Sequence, residues 1–595
     1  MDLPHLSSTK RTAPKLQSKR TMMRNALTSL VAALLAALLC LTACAAPAQK
    51  LKVAATVDFL DYAMDDAADD EPFYPVERYE KRLADLAACG VKKIYLRVNV
   101  CGLTLYPTKV SWQYGAYGNL HFRLPKQSRR LVGTLARWNP LTETIRICHK
   151  YGMEAWAWES VWDDAAADGA GVSEAEASPE WCAQYGHYYL MDPFFRKNYR
   201  FYSMRKPDGS QPQGDVAAIN RASRGRGIGR IEVVSADKHA PATFTRDELI
   251  IAYSKDNVNF NLYDGPCTLT QSSTADGRPV VVLSGLELDA NFVQLMFKTP
   301  RPKDGAQCAI IHRKARGQHH IYDLQGKPLP SAWSWSNSVD KRGFRVRITD
   351  VPAGWDYMDR ALGFVVGDVE PAIDDGTYLL GVAEFAIPQV MEHKLARFKE
   401  LAQYPFDGFM LNLRGHNLAN SDAQYGFNPE IREALLKQGA GDIWTDNFDR
   451  EKWTAYRSDA YDRFLAGCKA RASGRPLYVT VTNWQQPGPR YGMCHYLKAL
   501  KLPWHYDRWF KEGSVDGVTM HADFFPETFT GKISNGKPVA VSYLREMIFA
   551  DPSQTLESDL ERCRAAGLDE IELYEALVIT QKATAQETLR QFTGQ

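Results

Sequence analysis

The sequence lacks any surplus of charge: 72 Lys and Arg stand against 70 Asp and Glu. Without a clustered basic face, a nucleic-acid partner is excluded. The short phosphate and metal signatures are missing as well. No G-x-G-x-x-G follows the first strand, so the usual dinucleotide loop is absent. Neither a G-x-S-x-G elbow nor an H-E-x-x-H pair occurs, which removes local support for serine-hydrolase and zincin chemistry. The 11 cysteines contain no C-x-x-C pair. Cys89, Cys148, Cys468 and Cys563 fall late in predicted helices and read as small buried hydrophobes. Cys267 with Cys308 is the one pair suited to a bridge.

What is present begins at the N-terminus. Lys10, Arg11, Lys15, Lys19, Arg20 and Arg24 form a basic head, and an apolar run from Leu27 to Leu41 follows. Leu41-Thr42-Ala43-Cys44 then reads as a bacterial lipobox. Basic head, short apolar core and small residues before a cut mark a secretory signal. Residues 1–44 are therefore expected to be a lipoprotein signal, with Cys44 acylated and the chain anchored in the cell envelope. Ala45, rather than Asp, follows the cysteine and points to the outer membrane. The alternative, an uncleaved membrane anchor, meets an apolar run shorter than the ~20 residues a span needs. Met22 and Met23 offer a later start just before that run.

Beyond the signal a helix-turn-strand pattern recurs. Helical patterns at Arg78 to Cys89, Leu141 to Lys150, Tyr461 to Ala472 and Leu556 to Ala566 are stopped by Gly90, Gly152, Gly474 and Gly567. A strand-like run follows each stop. Glycine suits the left-handed residue that closes a helix, and strands alternating with helices imply a parallel sheet. Further segments bring the strands to eight, beginning near residues 52, 92, 153, 407, 476, 516, 537 and 570. Eight such units predict a (β/α)₈ TIM barrel whose working face lies at the strand C-termini. A doubly wound open sheet is the structural rival.

Residues 50–227 and 367–595 supply the two parts of this barrel. Between its third and fourth strands, residues 228–366 change to short alternating strands, with turn signals at Asp276-Gly277 and Asp304-Gly305. That pattern predicts an inserted β-sandwich-like domain. Trp333, Trp335 and Trp355 would give it a sugar platform, or would serve as packing.

Alternate residues of a barrel strand face inward. On one parity the strands carry Thr56/Asp58, Arg97/Asn99, Asn412/Arg414/His416, Thr480/Thr482, Thr519/His521/Asp523 and Glu572/Tyr574. Buried charges are costly unless paired or open to a cleft, so this row reads as a polar bowl at the barrel mouth. Glycosidic cleavage needs two carboxyl groups. The candidates are Asp523 with Glu572 or Glu575, the last turning into the mouth at the strand's end. Asp58 and Glu159 are the reserve carboxylates, and Arg97 and Arg414 their salt-bridge partners. Loops holding Trp158 to Asp164, Trp181 to Phe195 and Asn483 to Gln486 offer Trp158, Trp162 and Trp484 as substrate walls. His416 and His521 admit a divalent-metal hydrolase as a lesser alternative; the main reading needs no metal and no cofactor.

These segments resemble the glycosyl hydrolase-like 10 domain family. The resemblance rests on Lys93-Ile94-Tyr95-Leu96-Arg97-Val98, on Pro388 to Lys394 leading to Phe406-Asp407-Gly408-Phe409-Met410, and on Asn428-Pro429-Glu430-Ile431-Arg432. It covers the barrel and implies a glycoside-hydrolase-like TIM barrel acting on a carbohydrate. The fourth strand ends Asn412-Leu413-Arg414-Gly415-His416, without the acid Glu often found there. A non-catalytic glycan-binding lipoprotein is therefore the second reading.

Overall fold

The computed structural model describes residues 51–64, 71–100, 102–114, 126–167, 186–207, 225–234, 246, 249–255, 261–277, 279–290, 292–297, 319–328, 333–336, 362–365, 378–413, 425–481, 505–520, 540–547 and 555–595. The lipobox and Cys44 lie outside them. The eight anticipated strands pair in parallel and close on themselves, which excludes the open sheet. They are β1 Lys52–Val57, β2 Lys93–Arg97, β3 Glu154–Ser160, β4 Gly408–Asn412, β5 Leu477–Val481, β6 Gly517–Met520, β7 Ala540–Glu546 and β8 Glu570–Tyr574. Each pairs with the next in order, and β8 returns to β1 with Glu572 opposite Ala54.

Among the described residues, helices precede six of these strands: α1 Val76–Ala88, α2 Pro140–Lys150, α3 Pro388–Leu401, α4 Arg450–Arg471, α5 Tyr506–Glu512 and α6 Leu556–Ala565. The four glycine stops all have positive φ, at 85° for Gly90, 68° for Gly152, 80° for Gly474 and 69° for Gly567. At three of them the next N–H reaches back across the turn. Val91 donates to Leu86 at 3.2 Å, Met153 to Cys148 at 2.9 Å and Leu568 to Cys563 at 3.1 Å. This closure satisfies carbonyls that a helix end would leave bare. Cys89, Cys148, Cys468 and Cys563 are buried as expected, whereas Cys267 is free rather than bridged.

Between β3 and β4 the described residues form, besides two antiparallel two-stranded ribbons, two larger antiparallel sheets. One has five strands, in the order Asn261–Leu262, Leu249–Ser254, Phe292–Phe297, Leu362–Val365 and Trp333–Ser336. The other has four, in the order Thr268–Ser273, Pro279–Leu288, Ile228–Val234 and His319–Tyr322. Gly277 (φ 81°) turns the hairpin that pairs Ser273 with Pro279.

Inside the barrel, two strand glycines are required by their neighbours. A Cβ on Gly408 would lie 2.6 Å from the Trp156 ring, and one on Gly517 would lie 2.7 Å from the Tyr478 ring. These two rings meet edge to face at 4.6 Å. Gly408→Ala is therefore expected to destabilise by ~1–3 kcal/mol, the usual cost of overpacking. Thermal unfolding checks this, and an unchanged midpoint would refute it.

A second expectation concerns Glu80 of α1, which pairs with Lys150 at 2.5 Å and Arg146 at 2.7 Å on α2. Lys150 first, then Arg146, hold its carboxyl down to about 2. A depressed carboxyl stabilises the fold above its unfolded value of about 4.3, and that contribution declines as pH falls through its folded value. The effect is small, because all three side chains are partly in solvent. The stability gap between the wild type and Glu80→Gln should thus shrink between pH 6 and pH 3 in denaturant titrations. A gap that stays constant would discount this link between α1 and α2.

Candidate functional site

Strand register sorts the inward side chains into layers drawn from alternate strands, as closed eight-stranded barrels require. Where the strands end stand Arg97 of β2, Asn412 of β4 and Tyr574 of β8. Beneath them lie Thr56, Trp158, Thr480 and Leu544, and below those Tyr95, Met410, Thr519 and Glu572. Ala54, Trp156, Tyr478 and Ser542 come next, and Lys93 and Glu570 close the far end. Side-chain contacts agree with this order. Thr56 Oγ1 donates to Glu572 Oε1 at 2.6 Å, and Lys93 Nζ meets Glu570 at 2.6 Å. The polar row anticipated from parity does face inward wherever it is described.

On the β1–β3 side the mouth is locked by one guanidinium. Arg97 reaches Asp58 at 2.5 Å and Asp163 at 2.6 Å, and its Nε donates to the carbonyl of Asn99 at 3.1 Å. All three charged side chains are buried. Burial opposes the Arg97 charge, but Asp58 and then Asp163 outweigh it, and the group is held well above its ordinary value. Asp58 is occupied twice, since its other oxygen accepts from Leu60 N at 3.1 Å. Asn99 spends its amide on the backbone of Ser160, at 2.8 Å in both directions. Asp58, Arg97 and Asn99 therefore hold β1, β2 and β3 together rather than presenting free groups to a ligand.

Two expected substrate contacts lie elsewhere. Glu159 has the opposite parity to Trp158 and points out of the barrel, where Arg397 of α3 meets it at 2.8 Å. Its neighbours there are Asp164, paired with Lys394, and Asp192, paired with His393 at 3.1 Å. Burial pushes the Asp164 carboxyl up, and burial followed by the nearby Arg397 pushes Lys394 down. At Asp192 burial also pushes upward, but His393 prevails and the carboxyl is held low. Trp162 is likewise outside the barrel, packed edge to face on Tyr461 of α4 at 4.9 Å. Phe194, expected in a loop wall, stacks on His393 at 4.2 Å. Trp158 is no loop wall either: it fills the second interior layer, 6.0 Å from the Tyr574 ring.

Glu572 faces inward but does not end its strand at the mouth. It is fully buried, two layers below the row that contains Tyr574. Glu575, the next carboxylate, follows β8 directly, is half-buried and has a left-handed backbone at φ 68°. That conformation ends the strand alternation at the mouth. Asp523, His521, Arg414, His416 and Trp484 lie outside the described residues. Parity missed the far end: Tyr95 Oη donates to Glu570 at 2.6 Å, beside Lys93. Lys93 shares the parity of Arg97, so the same rule would have found it.

Among the described residues, Asp459, Asp462 and His505 come within metal-ligand reach of one another. Arg508 already stands there, with Nη1 2.8 Å from each aspartate. A tethered cation thus occupies the place an ion would take.

No protein-family model matches the chain, and no curated protein does. Among solved structures, the catalytic domain of a beta-amylase from Paenibacillus polymyxa aligns at TM-score 0.34 and 8% identity, over 91% of this chain and 98% of that one. The assignment of the barrel stands on its own strand pairing.

The clamp makes a direct prediction. Arg97→Met would leave Asp58 and Asp163 buried without their cation, a change that typically costs ~3–5 kcal/mol. Replacing all three by apolar residues of similar size should recover much of that loss. Equilibrium unfolding of the single and triple variants checks both, and a single variant as stable as the wild type would refute the clamp.

Proposed function

We propose that this protein is an exported, lipid-anchored glycoside hydrolase that binds a poly- or oligosaccharide at the C-terminal mouth of its barrel. The observation that carries the reading is the end of β8. Tyr574 offers a ring at the mouth, and the half-buried carboxylate of Glu575 follows it on a strand-breaking left-handed residue. Residues held in sparsely populated backbone regions cluster at working sites. Parity of β6 supports Asp523 as the second carboxyl, since Thr519 of that strand faces inward. One of the pair would protonate the leaving oxygen and the other would act as nucleophile or base. Glu572 instead supports the interior from below, through Thr56.

The lipobox supports anchoring through Cys44 in the envelope, with the outer membrane favoured by Ala45. The change to antiparallel strands supports reading residues 228–366 as a β-rich inserted domain, suited to holding glycan near the barrel. A second reading, glycan binding without cleavage, is favoured by one observation. Asp58, the acid at the end of β1, has both oxygens engaged and is not free for chemistry.

Glu575→Gln and Asp523→Asn should each lose at least ~10²-fold in turnover, the lower range for general acid–base catalysis, with melting temperatures close to wild type. Glu572→Gln should keep most of its turnover. A polysaccharide hydrolysis screen followed by rates on these variants tests the pair. Normal turnover in both would remove the site assignment. Binding of a glycan without cleavage by the wild type would establish the second reading instead.

A further inference from the structure

We propose that the barrel interior holds a water-binding seam, running down the β4–β7 wall from the mouth to the buried Lys93–Glu570 pair. The seam is a line of register partners. Asn412 stands opposite Thr480, Thr480 opposite Thr519, Thr519 opposite Ser542, and Ser542 opposite Glu570. Because the strands of a barrel are tilted, each partner sits one step lower than the last. Small polar side chains therefore descend the wall in a single file. The facing wall is built from the large rings of Tyr95, Trp156 and Trp158, all buried.

Three members of the file carry a buried polar atom without a hydrogen-bond partner: Asn412 Oδ1, Thr519 Oγ1 and Ser542 Oγ. Trp158 Nε1, beside the upper end, has none either. Thr480 donates its hydroxyl only to the weak acceptor Met410 Sδ, at 3.3 Å. A buried hydroxyl left unpaired is costly, and apolar side chains of the same shape would avoid that cost. Groups of this kind in protein interiors are characteristically satisfied by ordered water with two to four polar partners. The chemistry also selects the ligand. The indole N–H only donates, the amide oxygen only accepts, and the hydroxyls do both. Water meets every one of these demands, and the file holds no charge for an ion until it reaches Glu570.

The seam joins two places that are otherwise separated by packed side chains. At its upper end is the mouth row of Arg97, Asn412 and Tyr574. At its lower end Glu570 accepts from Tyr95 Oη and pairs with Lys93, each at 2.6 Å. The waters give this enclosed cluster a route for proton exchange with the mouth. They also keep water beneath whatever occupies the mouth, independently of the identity of that ligand.

X-ray hydroxyl-radical footprinting of the mature protein tests the seam, because radiolysis of water bound inside a protein releases hydroxyl radicals that oxidise the side chains beside it. Trp158 and Trp509 are both 1% exposed, but the Trp509 indole N–H is satisfied by Asp462 and lies on α5, away from the seam. Trp158 should be oxidised several-fold faster than Trp509. Thr519→Val should bring its rate down to that of Trp509, while Thr519→Ser, which keeps the hydroxyl, should not. If Thr519→Val fails to fold, Ser542→Ala and the wild-type comparison decide. Equal rates for the two tryptophans in the wild type would overturn the proposal. So would a Trp158 rate that Thr519→Val or Ser542→Ala leaves unchanged in a folded protein.

Discussion

Closure of the eight strands sends alternate side chains of every strand into one shared interior, and the remaining architecture is an answer to how that space is divided. Interiors pack to near-crystalline density, so large residues on one strand need small ones on the next. Trp156 and Tyr478 meet across the barrel only because Gly408 and Gly517 have no Cβ. Lys93 then lies over the Trp156 ring at 4.0 Å and closes the far end with Glu570. The two ends of the barrel thereby acquire different characters. The end where strands begin is sealed by an ion pair and rings, and the end where they finish carries the Arg97 clamp on Asp58 and Asp163.

The same alternation separates two buried charge clusters that the sequence runs together. Trp158 and Glu159 are neighbours in the chain, yet one faces the interior and the other faces α3. Arg97 gathers Asp58 and Asp163 at the mouth, while Arg397 and Lys394 gather Glu159 and Asp164 outside the barrel. Buried ions are tolerated when their partners are in place, and removing a single partner is the damaging event. Each cluster joins elements distant in the chain. The first fastens three strand ends, and the second docks the helix that leads into β4. The 22-residue α4 adds a third such fastening, where Arg457 meets Glu384 at 3.0 Å in a fully buried pair.

Period-2 alternation and glycine stops were legible in the chain, because both are local. The eight strands begin within three residues of their anticipated starts, and the four glycines are left-handed as their positions after helices imply. Depth was not legible. Parity says that Glu572 faces inward, but only register against β7 and β1 reveals that it lies two layers down. Residue type taken without parity misleads. It groups Glu159 and Trp162 with the substrate walls after β3, whereas the structure gives both to the helices. The ties of Asn99 to Ser160 are equally non-local, joining residues 61 apart. No pattern within one strand could have announced them.

Glu575 shows how local backbone strain marks the end of β8. Among the described residues, only it and Ser473 combine a side chain with a left-handed backbone. Such a conformation costs on the order of 1 kcal/mol or more, which glycine would avoid. Ser473 is exposed in the turn before Gly474, a place where a tight connection alone accounts for the geometry. Glu575 sits between buried Tyr574 and buried Ala576, where β8 gives way to the short helix Ala576–Gln581. A strand continued regularly would send residue 575 outward, as it does Glu159 on β3. The left-handed residue stops the strand before that happens and begins the helix at once. Turning the chain explains the backbone. A glycine would make the same turn at lower cost, so this position keeps a side chain in spite of the strain rather than because of it.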